Sequence, residues 1–133
     1  MSASERVSVS RFRRVLFMFA LICSGEAIFV LPFHITRYFR PTFLEVFEFT
    51  NTELGGAQAV YGVVAMLAYF PGGPIADRFS ARALMTASLL ATSAGGFFLA
   101  SVPNVQGMAW VMGFWGVTSI LLFWAALIRA TRD

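Results

Sequence analysis

Two groups of charged residues in this sequence of 133 residues have types and spacing that could do chemistry, and both are embedded in apolar sequence. Asp77, Arg78 and Arg82 stand in the short stretch PGGPIADRFSARAL, between two long apolar runs. Glu26 and Arg37 lie within a single apolar run, eleven residues apart. An acid beside guanidinium groups can form ion pairs or hold the N-terminus of another helix. An acid inside an apolar helix is a candidate for proton transfer or substrate contact.

The composition indicates that these charges are surrounded by lipid. Apolar residues make up 58% and charged residues 13% of the chain, whereas soluble domains have about 45–50% and about 25%. All ten basic residues are arginines that lie between apolar runs and form no basic stripe, which argues against a nucleic-acid partner. The single Cys23 excludes an internal disulfide. Because no metal-ligand cluster, nucleophile–base pair or phosphate loop is present in the sequence, we predict no enzyme, metal site or cofactor.

The hydropathy pattern predicts an all-α membrane protein with four transmembrane helices. At about 1.5 Å per residue, each predicted helix can cross a hydrocarbon layer of about 30 Å. Thr50 and Glu53 have the spacing of a capping box at the start of the second, and Phe49 with Leu54 suits a hydrophobic staple there. The predicted order is a basic N-terminus at 1–14, span 1 at 15–39, an extracytoplasmic loop at 40–52, span 2 at 53–76, a cytoplasmic loop at 77–82, span 3 at 83–101, span 4 at 107–128 and a cytoplasmic end at 129–133.

The distribution of arginines predicts the orientation of these spans. Eight arginines fall at the N-terminus, in the link between spans 2 and 3 and at the C-terminus, against two, Arg37 and Arg40, on the opposite side. The positive-inside rule therefore predicts a multi-pass protein of the plasma (inner) membrane with both termini in the cytoplasm. The apolar run of span 1 continues past Glu26 with no small-x-small cleavage site, which predicts a retained helix in place of a signal peptide.

The charged residues of span 1 form a stripe. On an ideal helix Arg37 lies about 20° around from Glu26, and Phe33 and Arg40 lie within about 40° of that line. We interpret the stripe as the wall of a transport pathway, in which Glu26 contacts a proton or substrate, Arg37 attracts anions and Phe33 lines the path. Alternatively, Glu26 is paired internally and the arginines extend to the interface. His34, about 80° off the stripe, is interpreted as an interfacial residue.

Rows of small residues predict where the helices pack, because close approach of membrane helices depends on such residues. Alanine-rich helices also produce such rows by chance. Pro71 and Pro74 predict that the end of span 2 bends or, alternatively, terminates. The rows are Ala68, Gly72 and Ala76 on span 2, and Ala83, Ala87, Ala91 and Gly95 beside Ser88, Thr92, Gly96 and Ala100 on span 3.

The charges at the turn between spans 2 and 3 oppose their own helices. Asp77 lies at the negative C-terminus of span 2, and Arg82 at the positive N-terminus of span 3. They either pair with each other across the turn or contact another element. GPIADRFSAR resembles the signature of the major facilitator superfamily, approximately G-x-L-A-D-R-x-G-R-R between helices two and three. Ser80 stands where the family usually has Gly, and Ala81 where it often has a base. The matching residues are Gly73, Ile75, Ala76, Asp77, Arg78 and Arg82.

The resemblance implies a transporter of twelve helices in two six-helix halves, with a central solute site and alternating access. This chain would supply the first four helices of the first half, and the rest of the transporter would be its missing partner. In the family the signature latches the cytoplasmic face against the opposite half, a gating role that falls here to Asp77, Arg78 and Arg82. Gly73 would permit the close contact. FHITRYF also resembles the end of helix one in the sugar-phosphate branch, where an Arg meets substrate phosphate, which implies a small organic anion or sugar derivative as solute.

Two other functions stay open. A self-contained dimeric exporter of the small multidrug resistance type also carries a membrane-embedded Glu in its first helix, as Glu26 does here. Its loops are shorter, however, and it lacks the signature at 77–82. A membrane scaffold without transport activity is the third possibility. Saturable flux that depends on Glu26, measured with this chain alone, would favour the exporter.

Overall fold

The computed structural model describes residues 3–132, and side chains from residue 10 onward. Its described residues form helices and contain no strand. The elements are α1 (Ala3–Phe29), a π-helical segment here called π1 (Val30–His34), α2 (Ile35–Tyr38), α3 (Arg40–Phe47), α4 (Asn51–Arg78), α5 (Ala81–Ala100), α6 (Val105–Gly116), a second π-helical segment called π2 (Val117–Trp124) and α7 (Ala125–Arg132).

Four of the resulting helices are long and apolar enough to cross a membrane, which confirms the predicted fold class. Span 1 runs from Ser10 to Tyr38, span 2 is Asn51–Arg78, span 3 is Ala81–Ala100 and span 4 is Val105–Arg132. The basic end of the bundle is the end that carries the arginines of residues 11–14, the turn between spans 2 and 3, and the C-terminal end of span 4. The α3 end is the opposite one.

Polar caps set where spans 2, 3 and 4 begin. The predicted capping box is confirmed: the Glu53 backbone N–H donates to Thr50 Oγ1 at 3.2 Å, and the Thr50 backbone N–H donates to Glu53 Oε2 at 2.8 Å. Ser80 Oγ accepts from the Ala83 N–H at 3.3 Å, and Asn104 Oδ1 accepts from the Gly107 N–H at 2.9 Å. Each cap satisfies a backbone donor that the first turn of a helix leaves free.

The helices extend beyond several of the boundaries expected from hydropathy. Helix α1 begins at Ala3 within the basic N-terminus, and α7 continues to Arg132. Helix α3 occupies most of the segment expected as a loop, because Phe43 is buried and its ring stacks on Phe47 at 4.2 Å. Helix α4 continues through both of its prolines to Arg78, so neither proline terminates it. Membrane helices tolerate proline where neighbouring groups satisfy the freed backbone.

Span 4 lies at the centre of the bundle. Half of the most apolar stretch of span 4 is buried inside the bundle, compared with 17% of the corresponding stretch of span 1. Two apolar clusters surround it, one toward the α3 end with Trp115 and Leu54, and one toward the basic end with Phe123 and Ile28. All four of these side chains are fully buried. Spans 2 and 3 both pack against span 4, and most of span 1 is left at the edge.

The small residues of span 2 pack as the row predicts, whereas those of span 3 do so only in part. Ala68, Gly72 and Ala76 are buried, and a Cβ built on Gly72 would lie 3.6 Å from the Ala125 Cβ of span 4. On span 3 the buried face carries Ser88, Thr92 and Gly95. Ala87 is exposed and Ala91 only half-buried in the described structure, so packing of a helix against these two residues stays a prediction. The hydroxyl row faces span 4 because it hydrogen-bonds there.

Candidate solute cavity and signature turn

A cavity of about 640 Å³ opens beside spans 1 and 2 toward the α3 end. The three residues predicted to line a transport pathway, Glu26, Phe33 and Arg37, all lie on its wall. The structure therefore brings them together, which the ideal-helix stripe anticipated. The remaining lining residues are Phe29, His34, Thr36, Arg40 and Gln58.

Segment π1 shapes this wall. Pro32 has no backbone N–H, and the Ile35 N–H donates to the Val30 carbonyl across the wider π turn. His34 also lies on the cavity wall, although an uninterrupted α-helix would place it about 80° off the stripe. Sequence reasoning placed His34 at the interface, and Pro32 was the only signal that the helix would be distorted.

Side chains of span 1 and span 2 are joined at the cavity. The Thr36 hydroxyl donates to the Phe33 carbonyl at 3.1 Å, and Gln58 Nε2 donates to Thr36 Oγ1 at 3.1 Å. The Phe33 ring meets the edge of Tyr61, with centroids 4.7 Å apart. Sequence reasoning missed Gln58, which sits among apolar and small residues of span 2 without a motif. These contacts fix the wall of the cavity to the rest of the bundle.

The charged groups of the cavity differ in how they are held. Arg40 Nε donates to Asn51 Oδ1 at 2.9 Å, which ties Arg40 to the start of span 2. Within residues 10–132, the Glu26 carboxylate and the Arg37 guanidinium form no ion pair or hydrogen bond. The internal pair considered as an alternative for Glu26 is thus not seen in this part of the chain. Both groups are exposed to the cavity and available to a ligand.

The signature turn, residues 77–82, separates the acid Asp77 from the base Arg82. Asp77 lies on a groove between spans 2 and 4, whereas Arg82 lies on a different groove between spans 1 and 3. Among the described residues they form no ion pair with each other. Ser80 caps span 3, which gives a physical reason for serine at the position where the signature usually has Gly. Pairing across the turn therefore does not account for these charges, and Arg78 is exposed beside them.

The two glycines before the signature acid have different surroundings. Gly72 faces span 4, whereas nothing lies within 4 Å of a Cβ built on Gly73, which opens on the groove beside Asp77. Arg129, from the end of span 4, donates to the carbonyls of Ala76 and Phe79, the latter at 3.2 Å. A cation there suits the negative end of span 2. Sequence reasoning treated Arg129 only as an orientation signal.

A network of hydroxyls holds π2 inside the bundle. Ser88 Oγ donates to the Thr118 carbonyl at 2.6 Å, and the hydroxyls of Thr92 and Thr118 lie 2.8 Å apart. Trp115 Nε1 donates to the Thr92 carbonyl at 3.0 Å. Because every one of these residues is buried and none is charged, the network is a packing feature and no part of the cavity lined by Glu26 and Arg37.

Comparison with known proteins finds that the chain is similar to inner membrane proteins of a bacterium. Inner membrane protein YqcE of Escherichia coli strain K12 is 30% identical over 120 residues, covering 90% of this chain and 28% of YqcE. Inner membrane protein YihN of the same strain is 30% identical over 115 residues, covering 86% of this chain and 27% of YihN. An uncharacterized protein of Mycoplasma pneumoniae strain M129 is 26% identical over 103 residues, covering 77% of this chain and 78% of that protein. No family model and no solved structure matches the chain.

These matches agree with the four apolar spans. The chain is a membrane protein homologous to inner membrane proteins. It spans just over a quarter of the length of YqcE and YihN.

Proposed function

We propose that the chain is the N-terminal, four-span part of a secondary-active transporter of the major facilitator type, with both termini in the cytoplasm, and that its solute is a small organic anion or sugar derivative. The observation that carries the proposal is the cavity in which Glu26, Phe33 and Arg37 share one wall. The greater length of YqcE and YihN supports a longer transporter, in which further helices would close the open side of this cavity.

The chemistry of the cavity suits an anion with an apolar part. Arg37 has no partner among the described side chains, and a guanidinium binds carboxylate or phosphate through two parallel hydrogen bonds. The rings of Phe29 and Phe33, with centroids 6.2 Å apart, supply an apolar surface beside it. Glu26 lies three turns away along span 1, where it can take up a proton or bind a hydroxyl of the solute.

The signature turn supports a gating role at the basic end. Asp77 is exposed and Gly73 leaves open space beside it, so another helix can approach this groove closely. We propose that Asp77 and Arg78 hold such a helix when the cytoplasmic side is closed, whereas Arg82 lies on the groove between spans 1 and 3. The apposed helix would belong to the remainder of the transporter.

A binding experiment tests the role of the cavity. The purified chain in detergent is titrated with sn-glycerol 3-phosphate in a calorimeter, with inorganic phosphate as a second probe. Arg37→Gln should lower the affinity at least about tenfold, since a hydrogen bond to a charged group contributes about 1.5–3 kcal/mol. The matched control is Arg132→Gln, which changes the same charge in the groove between spans 2 and 4. Equal affinity for both variants would contradict an anion site at Arg37.

A flux experiment separates this proposal from the self-contained exporter. Liposomes that contain only this chain should show no saturable uptake of sn-glycerol 3-phosphate. Saturable flux that is lost in Glu26→Gln would instead support a dimeric four-helix exporter.

The orientation is tested by labelling single cysteines with a membrane-impermeant maleimide. Cys23→Ser removes the native thiol. Thr42→Cys in α3 should then react from the outside of intact spheroplasts, and Arg132→Cys only in inside-out vesicles. The reverse pattern would overturn the proposed topology.

A further inference from the structure

A second groove, separate from the solute cavity, lies between spans 1 and 3 at the basic end. Its volume is about 650 Å³, and its walls are mostly apolar. Phe17 and Leu21 of span 1 face Met85 and Leu89 of span 3 across it. Arg82 lies on the same groove, at the first turn of span 3. The groove therefore combines an apolar channel within the depth of the membrane with a guanidinium at the level of the headgroups.

Further arginines stand at the same mouth. Arg13 and Arg14 precede Phe17 by four and three residues, so they lie one turn, about 5 Å, further toward the basic end on the same face of span 1. Both are exposed. None of the described residues that line the groove is acidic. Among the residues whose side chains the structure describes, the charges at this mouth are thus all cationic.

The groove between spans 2 and 4 provides the contrast. It lies at the same end of the bundle, but it carries Asp77 beside Arg129 and Arg132. Its charges are mixed, and Arg129 is already bonded to the carbonyls that close span 2. An anion gains less there than at a mouth with arginines alone.

We propose that the groove between spans 1 and 3 binds one anionic phospholipid. The phosphodiester lies between Arg82 and Arg14, and one acyl chain lies along Leu21, Met85 and Leu89. Basic pockets between membrane helices bind acidic headgroups in this way, because the headgroup charge and the acyl chain are satisfied at once. A phosphate at this position also offsets the unfavourable placement of Arg82 at the positive end of span 3. The proposed lipid site does not depend on transport activity or on which side of the membrane the basic end faces. It requires that Arg82 lies at the depth of the lipid headgroups.

Native mass spectrometry of the purified full chain tests the proposal. The chain is titrated with dioleoyl phosphatidylglycerol and, separately, with dioleoyl phosphatidylcholine, which has the same acyl chains and no net charge. We expect one phosphatidylglycerol to be retained in preference to phosphatidylcholine. Arg82→Gln or Arg14→Gln should each lower the affinity for phosphatidylglycerol about fivefold and leave phosphatidylcholine unchanged.

Three further measurements keep the result interpretable. Arg132→Gln is the matched control at the same end of the bundle and should retain phosphatidylglycerol as the unmodified chain does. Arg82→Lys keeps the charge and should retain most of the affinity, which separates loss of the site from loss of the fold. Ala20→Trp fills the apolar channel and should weaken both lipids.

Several outcomes would overturn the proposal. Equal losses for Arg82→Gln and Arg132→Gln would show general electrostatic attraction in place of a site. Displacement of the lipid by sn-glycerol 3-phosphate alone would show a site for free anions. A dimer whose formation expels the lipid would show that a second copy of the chain occupies the groove.

Discussion

The two π-helical segments show the same backbone irregularity in two settings. Segment π2 lies at the centre of the bundle, where Ser88 donates to its Thr118 carbonyl and Thr92 bonds to its Thr118 hydroxyl, both in buried positions. Segment π1 lies on the wall of the cavity lined by Glu26 and Arg37, where Thr36 donates to the Phe33 carbonyl and Gln58 donates to Thr36. One irregularity is enclosed by protein and the other borders an open space.

This difference follows from what a membrane permits. Irregular backbone at membrane depth is stable only where protein surrounds it or where it lines a cavity that holds water. Segment π2 meets the first condition and π1 the second. Substitutions around π2 should therefore reduce stability, whereas substitutions around π1 should reduce ligand binding and leave stability nearly unchanged.

The largest expected effect on stability concerns two adjacent glycines of span 3. Gly95 lies beside Trp115, which precedes π2 in the chain by two residues, and Gly96 lies beside Leu31 of π1. A Cβ on Gly95 would lie 2.5 Å from Trp115 Nε1, and this buried ring is fixed by its bond to Thr92. A Cβ on Gly96 would lie 2.7 Å from Leu31 Cδ1, the end of a flexible side chain in π1. Gly95→Ala should lower the free energy of unfolding by about 2 kcal/mol, and Gly96→Ala should change it by less than about 0.5 kcal/mol.

Thermal or denaturant unfolding in detergent, followed by tryptophan fluorescence, measures both variants. Gly73→Ala is the control for the substitution itself, since nothing lies within 4 Å of its Cβ. If Gly96→Ala proved as destabilising as Gly95→Ala, the wall at π1 would be as rigid as the core at π2, and the comparison would fail.

A smaller effect is expected from the hydroxyls that hold π2. Ser88→Ala removes the donor to the Thr118 carbonyl in a fully buried place. Hydrogen bonds between membrane helices contribute about 0.6 kcal/mol on average and up to about 1.7 kcal/mol, so we expect a loss of about 1 kcal/mol in the same unfolding assay. Ser93→Ala is the matched control, because Ser93 is exposed and bonds only within its own helix. Equal losses would show that the network does not stabilise π2.

Much of the fold was predictable from the sequence because lipid imposes simple rules. A span must be long, apolar and helical, so four spans could be read from hydropathy, and the capping box at Thr50 from spacing alone. Helical periodicity placed Glu26, Phe33 and Arg37 on one stripe, and all three line one cavity although π1 interrupts the α-helix between Glu26 and Arg37. These features depend on local sequence or on one helix.

The features that could not be predicted depend on contacts between helices. The sequence predicted two packing rows on span 3 but not which one meets span 4, and the row with Ser88 and Thr92 does so because its hydroxyls find partners there. Arg129 bonds to carbonyls of span 2 that lie about fifty residues earlier. Segment π2 contains no proline that would indicate a distorted helix in the sequence. Rows of small residues and helical periodicity do not show against which neighbouring helix a given helix face packs.

The smallest effect on stability is expected at π1 itself. Thr36→Val keeps the shape of the side chain and removes the hydroxyl that bonds to the Phe33 carbonyl and accepts from Gln58. Thr36 itself is buried, but the half-buried Gln58 amide can bond to water in the cavity instead, so the free energy of unfolding should fall by less than about 0.5 kcal/mol. The affinity for sn-glycerol 3-phosphate, measured by calorimetry, should nevertheless fall, because Gln58 and the ring of Phe33 lose the contact that holds them on the wall. Thr42→Val, on the exposed side of α3, is the matched control and should change neither quantity. A large loss of stability with unchanged binding would place π1 with π2, as packing and no part of a binding site.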